Sequence, residues 1–385
     1  MMKKLLNDIL PGIYEFRKEL HRHPEIAGQE RWTCSAIRKR LAEISGVRVL
    51  PPFLETDTVA FIDGAKPGRN VTLRADIDAL PVTEATGCDF ASEIPGMMHA
   101  CGHDVHTAVL VGVAEMLAAR RDEFSGSVRL VFQPGEENLA MAKQLVDAGA
   151  LAEPAADFSA ALHCEPGMKI GAIGVRAGAM MSSSYHFKVT FFGQGGHGSR
   201  PHLSRNPLLA AASAVVELQN VISNRIDTLR PAVLSICAIH SGELDNVVPT
   251  EAFFLGTIRA LDDDTRNEVL TGLREICEAV AVIHRMKCEV SVPQGYAATI
   301  NSVSGAELAR KAIAASGAEC IEMPESSMAS EDFSYFLLKS KDGVFVKLGV
   351  GENMVPLHNN KFLPPEEAIA YGIKYMTEIA LAALK

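Results

Sequence analysis

The sequence predicts an α/β protein in which a larger catalytic domain is interrupted by a smaller inserted one. Three observations predict it. The first half alternates segments of helical and strand periodicity, the mark of strands layered with helices. From about residue 182 the texture changes to strands that alternate apolar and polar residues, as half-exposed strands do. After Tyr296 the first texture returns.

Taken in order, residues 8–20 and 30–44 carry helical periodicity, VTLRADID at 71–78 reads as a strand, and DVHTAVLVGVAEMLAARR at 104–121 as a long helix. SVRLVFQ at 127–133 is a strand, 138–149 a helix stopped by Gly149, and FSAALH at 158–163 a further strand. The middle of the chain then offers YHFKVTFFG, a glycine-rich turn, a helix at about 206–224, the strands VLSICAIHSG and AFFLGTIRAL, a helix at 264–281 and the strand CEVSV. That order suits a small four-stranded sheet with two helices on one face. Helices at 304–315 and 365–383 complete the first domain. The expected division is therefore 1–181 and 295–385 for the catalytic domain, with 182–294 as the insert.

Length and composition narrow the function. A chain of 385 residues is long enough for two cores, and 48% hydrophobic with 22% charged residues describes a fully folding globular protein. Thirty-seven Lys and Arg against 47 Asp and Glu give a formal charge of -10, with no basic run to track a phosphate backbone, so nucleic acid is not an expected partner. No apolar run reaches the roughly 18–20 residues of a membrane helix, because Glu115 interrupts TAVLVGVAEMLAA. Asp8, Pro11 and Glu15 break up the apolar N-terminal stretch before a signal-peptide core forms, and the eight cysteines lack paired spacing. A cytoplasmic protein is expected.

The chemistry-bearing residues fall on three separate segments that head toward one edge of the sheet. Cys101 and His103 precede the long helix, Glu136 and Glu137 follow the strand 127–133, and His163 ends the strand 158–163. Open α/β sheets place ligands at the carboxyl ends of their strands. Thiolate, imidazole and carboxylate together are the ligand set of a zinc-type divalent ion. Each alone has a blander reading: Cys-x-His as a packed thiol beside a surface histidine, Glu-Glu as a solvated face, His163 as a satisfied core histidine. The glutamate pair is the more telling, since adjacent carboxylates after a buried strand and a Pro-Gly turn repel one another unless a cation lies between them.

Nine ordered motifs carry a resemblance. RKELHRHPEIAGQE (17–30), LRADIDALP (73–81), MHACGHDVH (98–106), VFQPGEE (131–137), LHCEP (162–166), GGHGSRPH (195–202), NVVPTEAFFLGTIR (246–259), SEDFSYF (330–336) and LHNNKF (357–362) span nearly the whole chain. Together they resemble the M20 metallopeptidase family, in particular its amidohydrolase branch of hippurate hydrolases, auxin-conjugate hydrolases and N-acyl-amino-acid aminoacylases. The resemblance implies a mixed-sheet catalytic domain of zinc-peptidase type and an inserted lid that pairs two subunits into a homodimer. It implies that Cys101, His103, Glu137, His163 and His358 bind two divalent ions (zinc, manganese, cobalt or nickel), that Glu136 is the general base, and that Asp78 orients a ligand. Where the wider family usually has a histidine ligand, this chain has Asp76. His197 resembles the lid histidine that reaches the partner's active site and would stabilise the oxyanion; Asn246 and Arg259 resemble contacts to a substrate carboxylate. The implied reaction is hydrolysis of an N-acyl amino acid, with a metallo-dipeptidase as the near alternative. A thiol hydrolase built on Cys101, or a non-catalytic metal-binding relative, stands further off.

Overall fold

In the computed structural model, which describes residues 2–293 and 295–385, the chain divides into two compact units. The first comprises Met1–Met180, Ile300–Glu325 and Asp332–Lys385; the second comprises Met181–Thr299 and Ser326–Glu331. Residues 326–331 thus run with the second unit, although the sequence groups them with the catalytic domain.

The first unit is built on an eight-stranded mixed sheet in the order Val47–Val49, Thr58–Asp63, Ser125–Gln133, Lys66–Asp76, Phe158–Glu165, Gly343–Gly349, Ile173–Val175, Cys320–Glu322. The four central strands run parallel. Ser125–Gln133, Phe158–Glu165 and Gly343–Gly349 are almost continuously buried, and Lys66–Asp76 is buried from Asn70 on, as expected of strands covered on both faces. The helix His103–Ala118 buries 15 of its 16 residues against this sheet and against the helices Met2–Arg22 and Glu367–Ala383. Gly112 permits that approach, because a Cβ there would overlap Ile373.

The second unit holds a four-stranded antiparallel sheet in the order Ala232–Ser241, Glu251–Ala260, Ser183–Phe192, Lys287–Ser291. One face of it carries Phe187, Val189, Phe191, Leu234, Ala252, Phe254 and Ile258 into a core shared with the helices Pro207–Glu217 and Asp263–Ile283. Both helices start on side-chain caps: Asn206 accepts from Leu208 N, and Asp262 from Thr265 N.

Several elements depart from the sequence expectation. The helix expected over 138–149 is two short ones, Glu136–Leu139 and Met141–Asp147, separated by Ala140 at φ 49°. The helix expected over 206–224 likewise splits after Glu217. The strand expected over 71–78 begins at Lys66 and stops at Asp76, which leaves Asp78 in the loop beyond it. The strands Val47–Val49, Thr58–Asp63, Ile173–Val175, Cys320–Glu322 and Gly343–Gly349 were not expected at all. Among the described residues no helix is long and apolar enough to cross a membrane.

Candidate metal centre

The parallel strands deliver their chemistry at one edge of the first unit. Asp76 ends Lys66–Asp76, the turn Pro134–Gly135 after Ser125–Gln133 leads straight into Glu136, and His163 lies near the end of Phe158–Glu165. Cys101 and His103 come from the loop that opens the helix His103–Ala118. Its preceding residue, Gly102, has φ 89° and sits so close to the strand that a Cβ would lie 3.1 Å from Cys164 Sγ, so only glycine fits. His358 arrives from a late loop in a left-handed conformation, φ 64°, and its amide donates to Ala100 O at 2.8 Å.

These segments bring together five of the residues singled out as ligands. The donor atoms of Cys101, His103 and His163 lie within 4.8 Å of one another, as do those of Cys101, Glu137 and His358. Cys101 Sγ is 3.4 Å from His163 Nε2, and His358 Nε2 is 3.3 Å from Glu137 Oε1. His103 Nδ1 donates to Asp78 O (2.8 Å), with Asp78 Oδ1 at 3.2 Å, while Asp78 Oδ2 accepts from Glu137 N at 3.0 Å. One aspartate therefore steadies a histidine and a glutamate together. Glu136 is buried at the first position of its short helix, within the group His103, Glu136, Glu137.

The electrostatics favour a cation here. His103 Nε2 is buried with no hydrogen-bond partner among the described residues, an arrangement that is costly unless something else satisfies it. Burial opposes charge on His103, yet Asp76, Asp78 and Glu137 outweigh it and hold its pKa up to about 10. Burial, then the charges of Glu137 and Glu136, push the Cys101 thiol well up. Burial and Lys347 push His163 well down. A thiol hydrolase built on Cys101, with His103 or His163 as base, would leave Glu136, Glu137 and His358 without a task. Soft and borderline donors around surplus negative charge instead match a divalent transition ion.

Asp76 is held in a buried network beside the site. Its Oδ1 receives His106 Nδ1 at 2.6 Å and its Oδ2 receives Arg74 at 2.6 Å, with His103 Nε2 farther away at 3.7 Å. Arg74 in turn reaches Gln133 Oε1 at 2.8 Å and Asp332 Oδ1 at 2.9 Å. His106, Arg74, Gln133 and Asp332 were not singled out from sequence. The spacing of HDVH held the one available signal, since residues three apart on a helix share a face and His106 must lie beside His103.

His197, Asn246 and Arg259 belong to the second unit. His197 is exposed in a two-residue strand paired with Val247–Val248, and Gly198 N donates to Asn246 O at 2.8 Å, so the two residues sit side by side. Ser199 N donates to His197 Nδ1 at 3.1 Å, which leaves the ring proton on Nε2 as an outward donor. Arg259 is half-buried on Glu251–Ala260 and donates to Ser330 Oγ at 2.9 Å.

Comparisons with known proteins agree in family. The model of "Peptidase family M20/M25/M40" matches residues 72–382. An N-acetylcysteine deacetylase of Bacillus subtilis (strain 168) is 36% identical over 374 residues, covering 97% of each chain. A thermostable carboxypeptidase of Saccharolobus solfataricus is 34% identical over 383 residues, covering 97% of this chain and 96% of the relative. Among solved structures, a dinuclear metal-binding peptidase of Bacillus subtilis superposes with a TM-score of 0.87 at 32% identity, covering 98% of this chain and 99% of the other.

Proposed function

Since the chain belongs to the M20/M25/M40 peptidase family and is a metal-dependent hydrolase of amides, we propose that it cleaves N-acyl amino acids into a carboxylic acid and a free amino acid. The observation that carries this reading is the convergence of Cys101, His103, Glu137, His163 and His358 beside the buried Glu136. Those five side chains would hold two divalent ions of zinc, manganese, cobalt or nickel type; the Bacillus subtilis relative is itself a dinuclear metal-binding peptidase. When bound, the ions polarise the scissile carbonyl and acidify the attacking water.

The remaining steps belong to the protein's own side chains. Glu136 accepts a proton from water as its oxygen adds to the carbonyl, and returns that proton to the nitrogen as the C–N bond breaks. Asp78 holds the His103 ring with Nε2 forward and fixes the backbone of Glu137, so that the neighbouring glutamates take separate tasks. His197 offers its Nε2–H to the developing oxyanion, a donation worth about 3–4 kcal/mol when well aimed. Asn246 and Arg259 grip the free carboxylate of the amino acid, the guanidinium matching its planar shape. His197 acts in the site of a partner subunit, the second unit serving as lid and dimerisation element. Eight cysteines, all free, suit the reducing cytoplasm.

A metallo-dipeptidase is the second reading, favoured by the carboxypeptidase relative. The test is a hydrolysis screen on metal-reconstituted protein. Acetyl-, benzoyl- and longer acyl-amino acids should be cleaved with kcat/KM at least tenfold above unblocked dipeptides. The reverse order would establish the dipeptidase.

A further inference from the structure

His106 lies directly beneath the candidate metal centre, and both of its ring nitrogens are engaged. Cys164 N donates to His106 Nε2 at 2.8 Å. A backbone amide can only donate, so Nε2 carries no proton, and the ring proton sits on Nδ1, where it is given to Asp76 Oδ1 at 2.6 Å. Although Asp76, His103 and His106 cluster closely enough to suggest a cation site, His106 has no lone pair left to offer. Its work lies in the strand instead.

The amide that His106 grips joins His163 to Cys164, so it sets the direction in which the backbone presents the His163 side chain. One peptide further on, Cys164 O receives His163 Nδ1 at 2.7 Å. A carbonyl can only accept, so His163 carries its proton on Nδ1, which leaves Nε2 bare and 3.4 Å from Cys101 Sγ. The two rings stand 4.8 Å apart, tilted by 58°. Asp76 is itself fixed, by Arg74 at 2.6 Å on Oδ2 and by Thr107 Oγ1 at 3.2 Å on its carbonyl. All of these groups are buried, so water does not compete for any of the bonds.

We infer that His106, held in one tautomer by Asp76, is a positioning residue that aims the bare Nε2 of His163 at the metal centre through the Cys164 amide. This rests on the proposed two-metal reading. It also accounts for an aspartate at position 76: a carboxylate there selects the His106 tautomer that the strand amide requires. Groups of this kind behind a ligand histidine typically change metal affinity by about 10- to 100-fold when removed.

The experiment is a metal-affinity cycle. The parent, His106→Phe, His106→Gln, His163→Ala and the double variant His106→Phe/His163→Ala are stripped of metal. Each is then titrated with cobalt(II) in competition with a chromophoric chelator, while the visible cobalt spectrum is recorded. His106→Phe should weaken one of two ions by about 10- to 100-fold and alter the cobalt bands. His106→Gln, whose side-chain oxygen can accept from Cys164 N, should recover part of that loss. In the His163→Ala background the Phe substitution should change affinity less than twofold. If His106→Phe does not fold, His106→Asn serves, since it keeps a donor for Asp76 but is too short to reach Cys164. Unchanged affinity in the single variant, or an equal drop with and without His163, overturns the inference. Failure of the parent to bind two ions overturns the functional reading instead.

Discussion

Glu136 and Glu137 are neighbours in sequence with different surroundings, and a substitution at each should separate them. Glu137 faces His358 and His103, and its amide is held by Asp78, whereas Glu136 opens the helix as a buried carboxylate. Glu136→Gln should lower kcat by at least about 10²- to 10⁴-fold and leave metal content at the parent's level, as measured by elemental analysis beside turnover. His163→Ala and His358→Ala should lower metal content first. Cys101 adds a chemical probe: its thiol should resist alkylation with metal bound and react after chelation, and equal reactivity in both states would remove it from the ligand set. A pH effect comes from His99, a buried ring whose two nitrogens have no partner among the described residues. Burial above all holds its pKa down to about 4 despite the nearby Asp104. Between pH 4 and about 6.5 the unfolded chain binds the proton that the folded one refuses, so stability rises with pH across this window and is lost as pH falls, by about 3 kcal/mol in full. The urea midpoint should therefore drop between pH 7 and pH 5 by more in the parent than in His99→Gln. Cys101, His103, Glu136, Glu137 and His163 stood out in the sequence because few side-chain types bind metal and three segments carried them toward one edge of the sheet, whereas His358 stood out only through the family resemblance. His106 and the role of Asp76 did not, because a positioning role is defined by a partner, and the amide of Cys164 has no signature in the sequence.

At the scale of elements, the turn before Glu136 is the most exacting. Gly135 has φ 64°, its amide donates to Glu30 Oε1 at 2.9 Å, and a Cβ on it would overlap Met141. Gly135→Ala should cost about 1–3 kcal/mol of stability through left-handed strain and overlap. It should also lower kcat, because Glu136 is the next residue; a thermal melt beside a turnover assay checks both, and a melt within 1 °C of the parent would contradict the strain argument. Glu30 explains why the early motif RKELHRHPEIAGQE belongs with the rest: it anchors a turn more than a hundred positions later. The long helices and the four strands of the second unit were readable from periodicity. The break at Ala140 was not, since alanine gives no sign of a left-handed residue. Nor was Gly343–Gly349, a short apolar run that cannot be told from buried helix by period alone.

For the whole molecule, the two compact units divide the proposed labour, ligands and base in one and His197, Asn246 and Arg259 in the other. If His197 serves a partner's site, mixing inactive Glu136→Gln with inactive His197→Ala and refolding them together should restore activity, up to about a quarter of the parent's. That figure assumes random pairing, in which half the dimers are mixed and each carries one complete site. No recovery in verified heterodimers would return His197 to its own subunit. The order of the large sheet has a further consequence, for the chain as it is being made. Gly343–Gly349 lies inside the sheet, against Phe158–Glu165, yet is synthesised 178 residues after Glu165 (343 − 165). At about 5–20 residues per second a ribosome takes some 9–36 seconds to supply it. Throughout that interval the nascent protein carries a buried-type apolar strand with one edge unpaired, the kind of edge that recruits neighbouring chains. Crowded polysomes and fast elongation therefore pull in opposite directions on its yield, and a cell making much of it has reason to keep a chaperone at that edge until the last tenth of the message is read.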